Sequence, residues 1–505
     1  MNNIANNFNP PKEDIDNLIC LYKNGKFQDV LDKSEQLVLQ YSHSILLYNL
    51  RGSANALLKR FDKAEECYNK ALRVKPDYAA AYNNLGNILK EKCDKDLAIK
   101  NYKSAIKLKP NCSEYHNNIG IIYNENNMIG FAIQSFKQAI FLKPDYAEAY
   151  YGLGLSLEKN GEFRSAIKSY ESALIYNPNY PEVFFELGNI YAKKGDYNLS
   201  IENYLNAIKI KKNYYEAYCN LGNSMKDLGD IRSARFYYNK GLKINSKDFE
   251  AIWNRHGVSF SIDEAIKWLL ECLKAESNCL KAKLMLAALK YLKNDKTDFN
   301  NLMKTDIKEH PYMRSFNWIF KLQKPYKLFF NKFSLIDYVI ENSLLDRAFY
   351  EFGVWKGVSF KYFMKFFKKG FGFDTFTGLP EDWYDEKEGT YSSDGSIPKV
   401  KGGEFIIGNF KDTLPKYFNK KRPLASIISF DADLYSSTLC VLENCKKIID
   451  KNTILIFDEF LMNPKWEEDE YRALNEFCVK YNLSYQVIAV SFFSKQVAVR
   501  IENNR

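Results

Sequence analysis

The apolar rhythm of this 505-residue chain changes once, near residue 290. Before that point apolar and small residues return at helical spacing, and the spacing itself repeats. Glycine stands at Gly52, Gly86, Gly120, Gly154, Gly188 and Gly222, and proline at Pro76, Pro110, Pro144 and Pro178, at a constant step of 34 residues. Small residues keep the same phase at Ala64, Ala98, Ala132, Ala166, Ser200 and Ala234, then at Ala71, Ala105, Ala139, Ala173, Ala207 and Gly241. A fixed step of that length predicts one two-helix unit copied end to end, with the small residues where paired helices approach closely. Residues 11–44 keep the register in degraded form through Leu18, Gly25, Phe27, Val30 and Leu37, and Trp253 to Asn278 has lost about three residues from its turn. Leu280–Leu292 reads as a lone capping helix, one face of which should meet water.

Beyond residue 326 the pattern alternates instead of repeating. Apolar runs at 348–352, 370–373, 405–407, 425–430 and 453–457 are separated by helical segments, which predicts buried parallel strands with crossover helices. Tyr485–Val490 and Gln496–Ile501 are only five residues apart, too few for a parallel crossover, so they predict an antiparallel hairpin. A helix is expected over Ser334–Asp346, with Leu335, Ile336, Val339 and Ile340 on one face. Residues 294–325 carry little periodicity and contain the breakers His310-Pro311 and Lys324-Pro325, so they read as a linker. The expected organisation is a disordered tail over 1–10, a repeat array over 11–293, a linker over 294–325 and an α/β domain over 326–505.

Composition narrows the class of protein. With 46% hydrophobic and 15% aromatic residues the chain is globular, and it contains no run of eighteen apolar residues, so no membrane span is expected. Its start has neither a basic nor an apolar leader region, which reads as unexported and cytoplasmic. Ten cysteines scattered from Cys20 to Cys478 without a CxxC pair indicate neither a disulfide framework nor a zinc site. The net charge of +10 comes mostly from dispersed lysine, and arginine, the residue that grips guanine and phosphate, is scarce. Nucleic acid is therefore not expected as a partner.

The first half, with segments such as AAYNNLGNILKEKCDKDLAIKNYKSAIKLKPN over residues 80–111, resembles the tetratricopeptide repeat. The resemblance implies an α-solenoid whose concave groove takes a protein or peptide partner. Asn84, Asn118 and Asn220 hold one repeat position, with Asn83 and Asn117 beside the first two. In some related arrays such a ladder holds an extended peptide backbone; here, in an asparagine-rich chain where Tyr151 and Glu186 interrupt it, it reads first as a tolerated polar face.

The chemistry is concentrated in the second half. Glu351-Phe-Gly-Val-Trp-Lys-Gly leads through a helix to Asp374, placing two acidic residues about 20 apart with glycines after the first, as a doubly wound sheet needs to hold a nucleoside. The GxGxxG of a plain dinucleotide fold is missing. Asp431 and Asp433 follow one apolar strand, and Asp458 and Glu459 follow the next, so both pairs should reach the same rim of the sheet. Carboxylates gathered there repel one another unless a cation or protons neutralise them, and oxygen-only ligands favour magnesium or another hard divalent cation.

The segments EFGVWKGVS, FDTFTGLPEDW, GNFKDTLP, DADLYSST, FDEF and EYRALNEF follow in this order between residues 347 and 478. Together with the terminal hairpin they resemble the macrocin-type sugar O-methyltransferases, of the Rossmann-like class I S-adenosylmethionine-dependent methyltransferase fold. The resemblance implies that Glu351, Gly353, Trp355, Gly357 and Ser359 form the loop around the methionine part of the cofactor. It also implies that Asp374, with Thr375, meets the ribose and that Asp412 lies near the adenine. The positions matching Asp431, Asp458 and Glu459 hold a divalent metal in that family. Asp431 and Asp433 are the expected catalytic carboxylates, Asp382 and Asp385 further candidates for the base, and Pro380–Lys401, with Trp383, Tyr384 and Tyr391, an expected substrate lid. All four histidines precede this domain. The expected activity is methyl transfer to a sugar or glycan hydroxyl, and the rival expectation is a repeat scaffold with a degenerate methyltransferase-like domain.

Overall fold

The computed structural model describes residues 9–323, 325–382, 384, 386–390, 392–393, 395–432 and 434–503. Residues 1–8 of the expected tail, Trp383, Asp385 and Tyr391 of the expected lid, and the expected catalytic Asp433 lie outside the described residues. The chain divides into two compact units, Met1–Ile190 and Tyr191–Arg505.

The first unit is built of helix pairs, among them Ile45–Leu57 with Phe61–Val74, Ala79–Glu91 with Lys95–Leu108, Ser113–Glu125 with Ile129–Leu142, and Ala147–Lys159 with Phe163–Tyr176. The reason for glycine at positions 52, 86, 120, 154 and 222 of the 34-residue register is an aromatic ring 16 residues later. A Cβ on Gly86 would stand 2.7 Å from the Tyr102 ring, and one on Gly154 would stand 2.4 Å from Tyr170. Both tyrosine side chains are fully buried, so neither ring has room to withdraw. The alanines of the register, such as Ala98, Ala105, Ala132 and Ala139, have no exposed surface. The asparagine ladder is occupied by itself: Asn84 Nδ2 donates to Asn49 Oδ1 at 3.0 Å, and Asn118 Nδ2 donates to Asn83 Oδ1 at 2.9 Å. These amides tie one repeat to the next.

The second unit opens with further pairs, Tyr197–Ile210, Tyr215–Leu228 with Ile231–Ile244, and the shortened Phe249–His256 with Ile262–Ala275. Leu280–Leu292 follows, and it is not a water-facing cap. Ala282, Leu284, Met285, Ala288 and Leu289 are all fully buried, in one apolar cluster with the helix Pro311–Lys321 and the sheet. Residues 294–325, expected as a linker, contain the helices Thr297–Leu302 and Pro311–Lys321. Phe299, Met313, Phe316 and Ile319 bury their side chains in that same cluster, and Phe316 packs on Phe492 with ring centroids 5.3 Å apart. Aromatic packing thus fixes a segment whose sequence shows little periodicity.

Among the described residues the sheet has eight strands, β1 (Lys327–Phe329), β2 (Ala348–Phe352), β3 (Gly370–Asp374), β4 (Gly403–Ile407), β5 (Ala425–Phe430), β6 (Ile454–Phe457), β7 (Leu483–Ser491) and β8 (Val497–Asn503), in the order β1-β7-β8-β6-β5-β2-β3-β4. β2 to β6 are mutually parallel, and β8 runs antiparallel to both of its neighbours, β6 and β7. β2 and β5 are buried along their whole length, as expected of strands covered on both faces. The fold is therefore a helical repeat solenoid followed by a mixed sheet. The three-residue β1 has no apolar run to announce it. The helix expected over Ser334–Asp346 spans Lys332–Glu341, because the Asn331 side chain caps it two residues earlier by accepting from Ser334 N at 2.8 Å.

One face of the sheet shares its core with the repeats of the same unit. Ile231, Ala234, Tyr238 and Val258 cluster with Phe333, Ile336, Val339, Phe349 and Phe360. No helix among the described residues is long and apolar enough to cross a membrane.

Close packing of glycine on an aromatic ring gives a direct test in the first unit. Gly154→Ala should destabilise the protein by about 1–3 kcal/mol, the usual cost of overpacking a filled core. Tyr170→Leu added to it should recover part of that loss, so that denaturant melts give a double mutant more stable than the sum of the singles. Strict additivity would contradict the contact.

Candidate functional site

Because β2 to β6 are parallel, their C-terminal ends share one rim, and the residues that follow them meet there. A cavity of about 770 Å³ opens at this rim. Gly353 and Trp355 reach it from the end of β2, Ser359 from the next helix, Asp374 and Thr375 from β3, and Asp412 from the segment after β4. Asp431, following β5, and Asp458 with Glu459, following β6, complete this side. The cavity has the size of a small-molecule-binding pocket, with polar groups converging on it. Glu351 and Gly357, expected among the cofactor residues, stand behind the lining.

The glycines here are demanded by the chain itself. Gly353 has φ +85°, and a Cβ on it would fall 1.8 Å from the backbone oxygen of Asp431. Gly357, at φ +70°, starts the helix Val358–Phe363, and a Cβ there would meet Pro398 at 2.8 Å. Asp374 holds this loop in place: Oδ2 accepts from Val354 N at 2.6 Å and Trp355 N at 2.8 Å, and Oδ1 accepts from Phe376 N at 2.6 Å. Trp355 is thereby kept in the left-handed region, at φ +48°. Asp374 is the post to which the loop is tied, as well as part of the cavity wall.

Electrostatics divide the carboxylates. Glu351 is completely buried, and burial pushes its carboxyl up to about 8, with Ser359 and Lys332 acting against the shift. It is therefore protonated at neutral pH. Asp431 is raised first by burial and then by Asp458, with Lys332 opposing. Lys332 Nζ lies 3.3 Å from Asp431 Oδ2 and 3.0 Å from Asp458 Oδ1. Burial pulls this ammonium down, and Asp431 and Asp458 more than reverse that, leaving it well above its ordinary value.

Of the three carboxylates expected to share a metal, Asp431 and Asp458 meet at Lys332, and Glu459 is turned away from them. Glu459 Oε2 accepts from Lys495 Nζ at 2.8 Å and from Asn463 Nδ2 at 3.0 Å, while Asp431 and Asp458 hold Lys332. Among the described residues no group of three potential ligand side chains is placed to hold a metal ion. As arranged, the residues do not fit a divalent cation. Asp382 is on the exposed expected lid and pairs with Lys387 at 2.8 Å, away from the cavity lining.

The rest of the cavity lining includes residues whose roles were not legible in sequence. Tyr197, Lys226 and Asp227 belong to the repeat helices, Lys332 and Phe333 to the helix after β1, and Phe493, Ser494 and Gln496 to the hairpin turn. Burial raises the Tyr197 hydroxyl, Asp227 adds to the rise and Lys332 opposes it. Gly195 and Gly229, at φ +70° and +93°, bring repeat turns against the sheet domain: a Cβ would meet Lys356 and Trp355 at the first, and Phe333 at the second. The same turn position has positive φ in other repeats too, whether glycine stands there, as at Gly25 and Gly161, or not, as at Lys59, Cys93 and Asn127, so these two glycines look like ordinary turn chemistry. His256 is fully buried behind Phe493, with ring centroids 5.5 Å apart, and burial lowers it to about 3. It is a neutral packing group outside the cavity lining.

The buried Glu351 makes stability depend on pH in a defined direction. Its folded value lies above the ordinary 4.5, so the folded chain keeps a proton that the unfolded chain releases. The resulting stability is complete below about 4.5 and is lost as pH rises towards about 8. Glu351→Gln should flatten this part of the profile and gain stability relative to the parent chain as pH climbs. Parallel slopes of melting temperature against pH in the two proteins would show that Glu351 is not held neutral.

Comparison with known proteins bears on the repeats. Family models described as TPR repeat match residues 129–161, 159–195 and 188–229, and models described as tetratricopeptide repeat match 43–111 and 215–248. Similar solved structures include the MamA protein, at 30% identity over 34% of this chain and 94% of that one, with a TM-score of 0.31. YrrB, described as a TPR protein with an unusual peptide-binding site, is 19% identical over 36% of this chain and 94% of its own, also with a TM-score of 0.31. PilF of Pseudomonas aeruginosa is 20% identical, over 40% and 93% of the two chains, with a TM-score of 0.38. No curated protein matches the chain. The helix pairs and the matched family models together identify residues 43–111 and 129–248 as tetratricopeptide repeats.

Proposed function

We propose that the second unit is an S-adenosylmethionine-dependent O-methyltransferase acting on a hydroxyl of a sugar or glycan, and that the repeats bring a protein or peptide partner to it. The observation that carries this reading is the convergence of four sequence segments, around Gly353, Asp374, Asp412 and Asp431, on one cavity at the C-terminal rim of the sheet. The single antiparallel strand β8, inserted between β7 and β6, also supports it. Repeats of this family make a protein or peptide the natural ligand of the first unit.

The cofactor, when bound, supplies an electrophilic methyl group, so the chain's task is to orient the acceptor oxygen and take its proton. The loop tied down by Asp374 would hold the methionine part, and Asp412 lies on the wall proposed for the adenine. Asp431 is the carboxylate best poised to accept a proton, since burial and Asp458 raise its affinity for one. Tyr197, Lys226 and Asp227, which line the same cavity, offer both donors and acceptors to a polyhydroxylated acceptor. No step of this reading runs through a metal ion. Cytoplasmic location remains part of the proposal.

A second reading, a scaffold whose sheet domain does not turn over, is favoured by one observation. The Asp374 carboxylate already accepts three backbone N–H groups, leaving it less capacity for ribose hydroxyls.

Isothermal titration of S-adenosylhomocysteine into the intact chain tests the first reading: saturable 1:1 binding is expected, and no heat from folded protein would refute it. Asp431→Asn should lower turnover of a glycan acceptor by roughly 10²–10⁴-fold while leaving that binding within a few fold. Asp227→Asn should raise the acceptor KM and leave cofactor binding unaltered. Binding without turnover on any glycan would favour the scaffold.

A further inference from the structure

The carboxylates at the rim are already served by ammonium groups of the chain. Lys332 is the first residue of the helix Lys332–Glu341, and Asn331 caps that helix through its side chain. The strand before it, β1, is registered on β7 from Lys327↔Ala489 to Phe329↔Ser491. Strand pairing on one side and a capped helix on the other hold the lysine backbone in place. Its Nζ donates to Asp431 Oδ2 and Asp458 Oδ2, at 3.3 and 3.1 Å, and the side chain is only 27% exposed. Gln496 Nε2 donates to the other Asp458 oxygen. Lys495 bridges Glu459 Oε2 and Asn463 Oδ1, at 2.8 Å each. Asp431, Asp458 and Glu459 thus face two lysines, and each has a donor from the chain.

We propose that Lys332 is the resident cation of this site, standing between Asp431 and Asp458 where a divalent ion would otherwise bind, so that the site operates without a bound metal. An ammonium hydrogen-bonded to both carboxylates and an ion ligated by both compete for one position. Two positive charges side by side in a partly desolvated cavity repel strongly, so occupancy is exclusive. Magnesium also requires near-octahedral oxygen ligands at about 2.0–2.1 Å, and Glu459 is held away on Lys495 and Asn463. The inference does not depend on which reaction the cavity supports.

The test uses Mn²⁺ alone, titrated into the intact chain and followed by the electron paramagnetic resonance signal of the free ion. The parent protein and Asp458→Asn should give indistinguishable curves, because no Mn²⁺ bridges the carboxylates. Lys332→Met, verified as folded by circular dichroism, should bind Mn²⁺ at least about tenfold more tightly than the parent, having lost the competing charge. Adding Asp458→Asn to it should cancel the gain. One Mn²⁺ bound by the parent and lost in Asp458→Asn would overturn the proposal, as would a folded Lys332→Met that gains nothing. Should Lys332→Met fail to fold, the comparison of parent with Asp458→Asn still decides.

Discussion

The core shared by Ile231, Ala234, Tyr238 and Val258 with Phe333, Ile336 and Val339 is the constraint on which the second unit depends. A repeat array needs its last apolar face covered. Here the face of the sheet that carries the helix Lys332–Glu341 takes part in that cover. A second apolar cluster of the same unit, which also reaches the sheet, accounts for the first two of the following features. Leu280–Leu292 is buried instead of capping the array, residues 297–321 become helices wedged beside the sheet, and repeat turns at Gly195 and Gly229 meet Trp355 and Phe333. The cavity at the strand ends therefore has a wall that a free-standing sheet domain would lack.

That enclosure shapes the electrostatics. Burial keeps the proton on Glu351, and Asp431 and Asp458 share the ammonium of Lys332. The charge at the rim is balanced by neighbours that a 34-residue register and a list of acidic motifs do not contain.

What was legible in the sequence follows from periodicity. The step that places Gly86 on Tyr102 and Gly154 on Tyr170 is local and repeated, so the helix pairs could be read directly. β6 is a continuous apolar run and β5 one broken only by serines, and Asp431 and Asp458, which directly follow them, could be assigned to one rim because the strands are parallel. The neighbours were not legible. Lys332 reaches Asp431 across 99 residues and Asp458 across 126, and nothing in Phe-Asn-Lys-Phe-Ser marks its partner. Tyr197, Lys226 and Asp227 join the cavity only through tertiary packing of a repeat whose own sequence is ordinary. The metal expected from Asp431, Asp458 and Glu459 shows the same gap: the pattern identifies the carboxylates, but their counter-charges come from elsewhere in the chain.

The account turns on the claim that the cavity beside Gly353 and Asp374 holds the methyl donor. Ultraviolet photolabelling of the intact chain with methyl-tritiated S-adenosylmethionine, followed by peptide mapping, addresses it most directly. The account predicts label on peptides containing Gly353–Ser359, Asp374–Thr375 or Asn409–Asp412, displaced by excess S-adenosylhomocysteine. Label no greater than on heat-denatured chain, or label confined to the helices before residue 190, would contradict it.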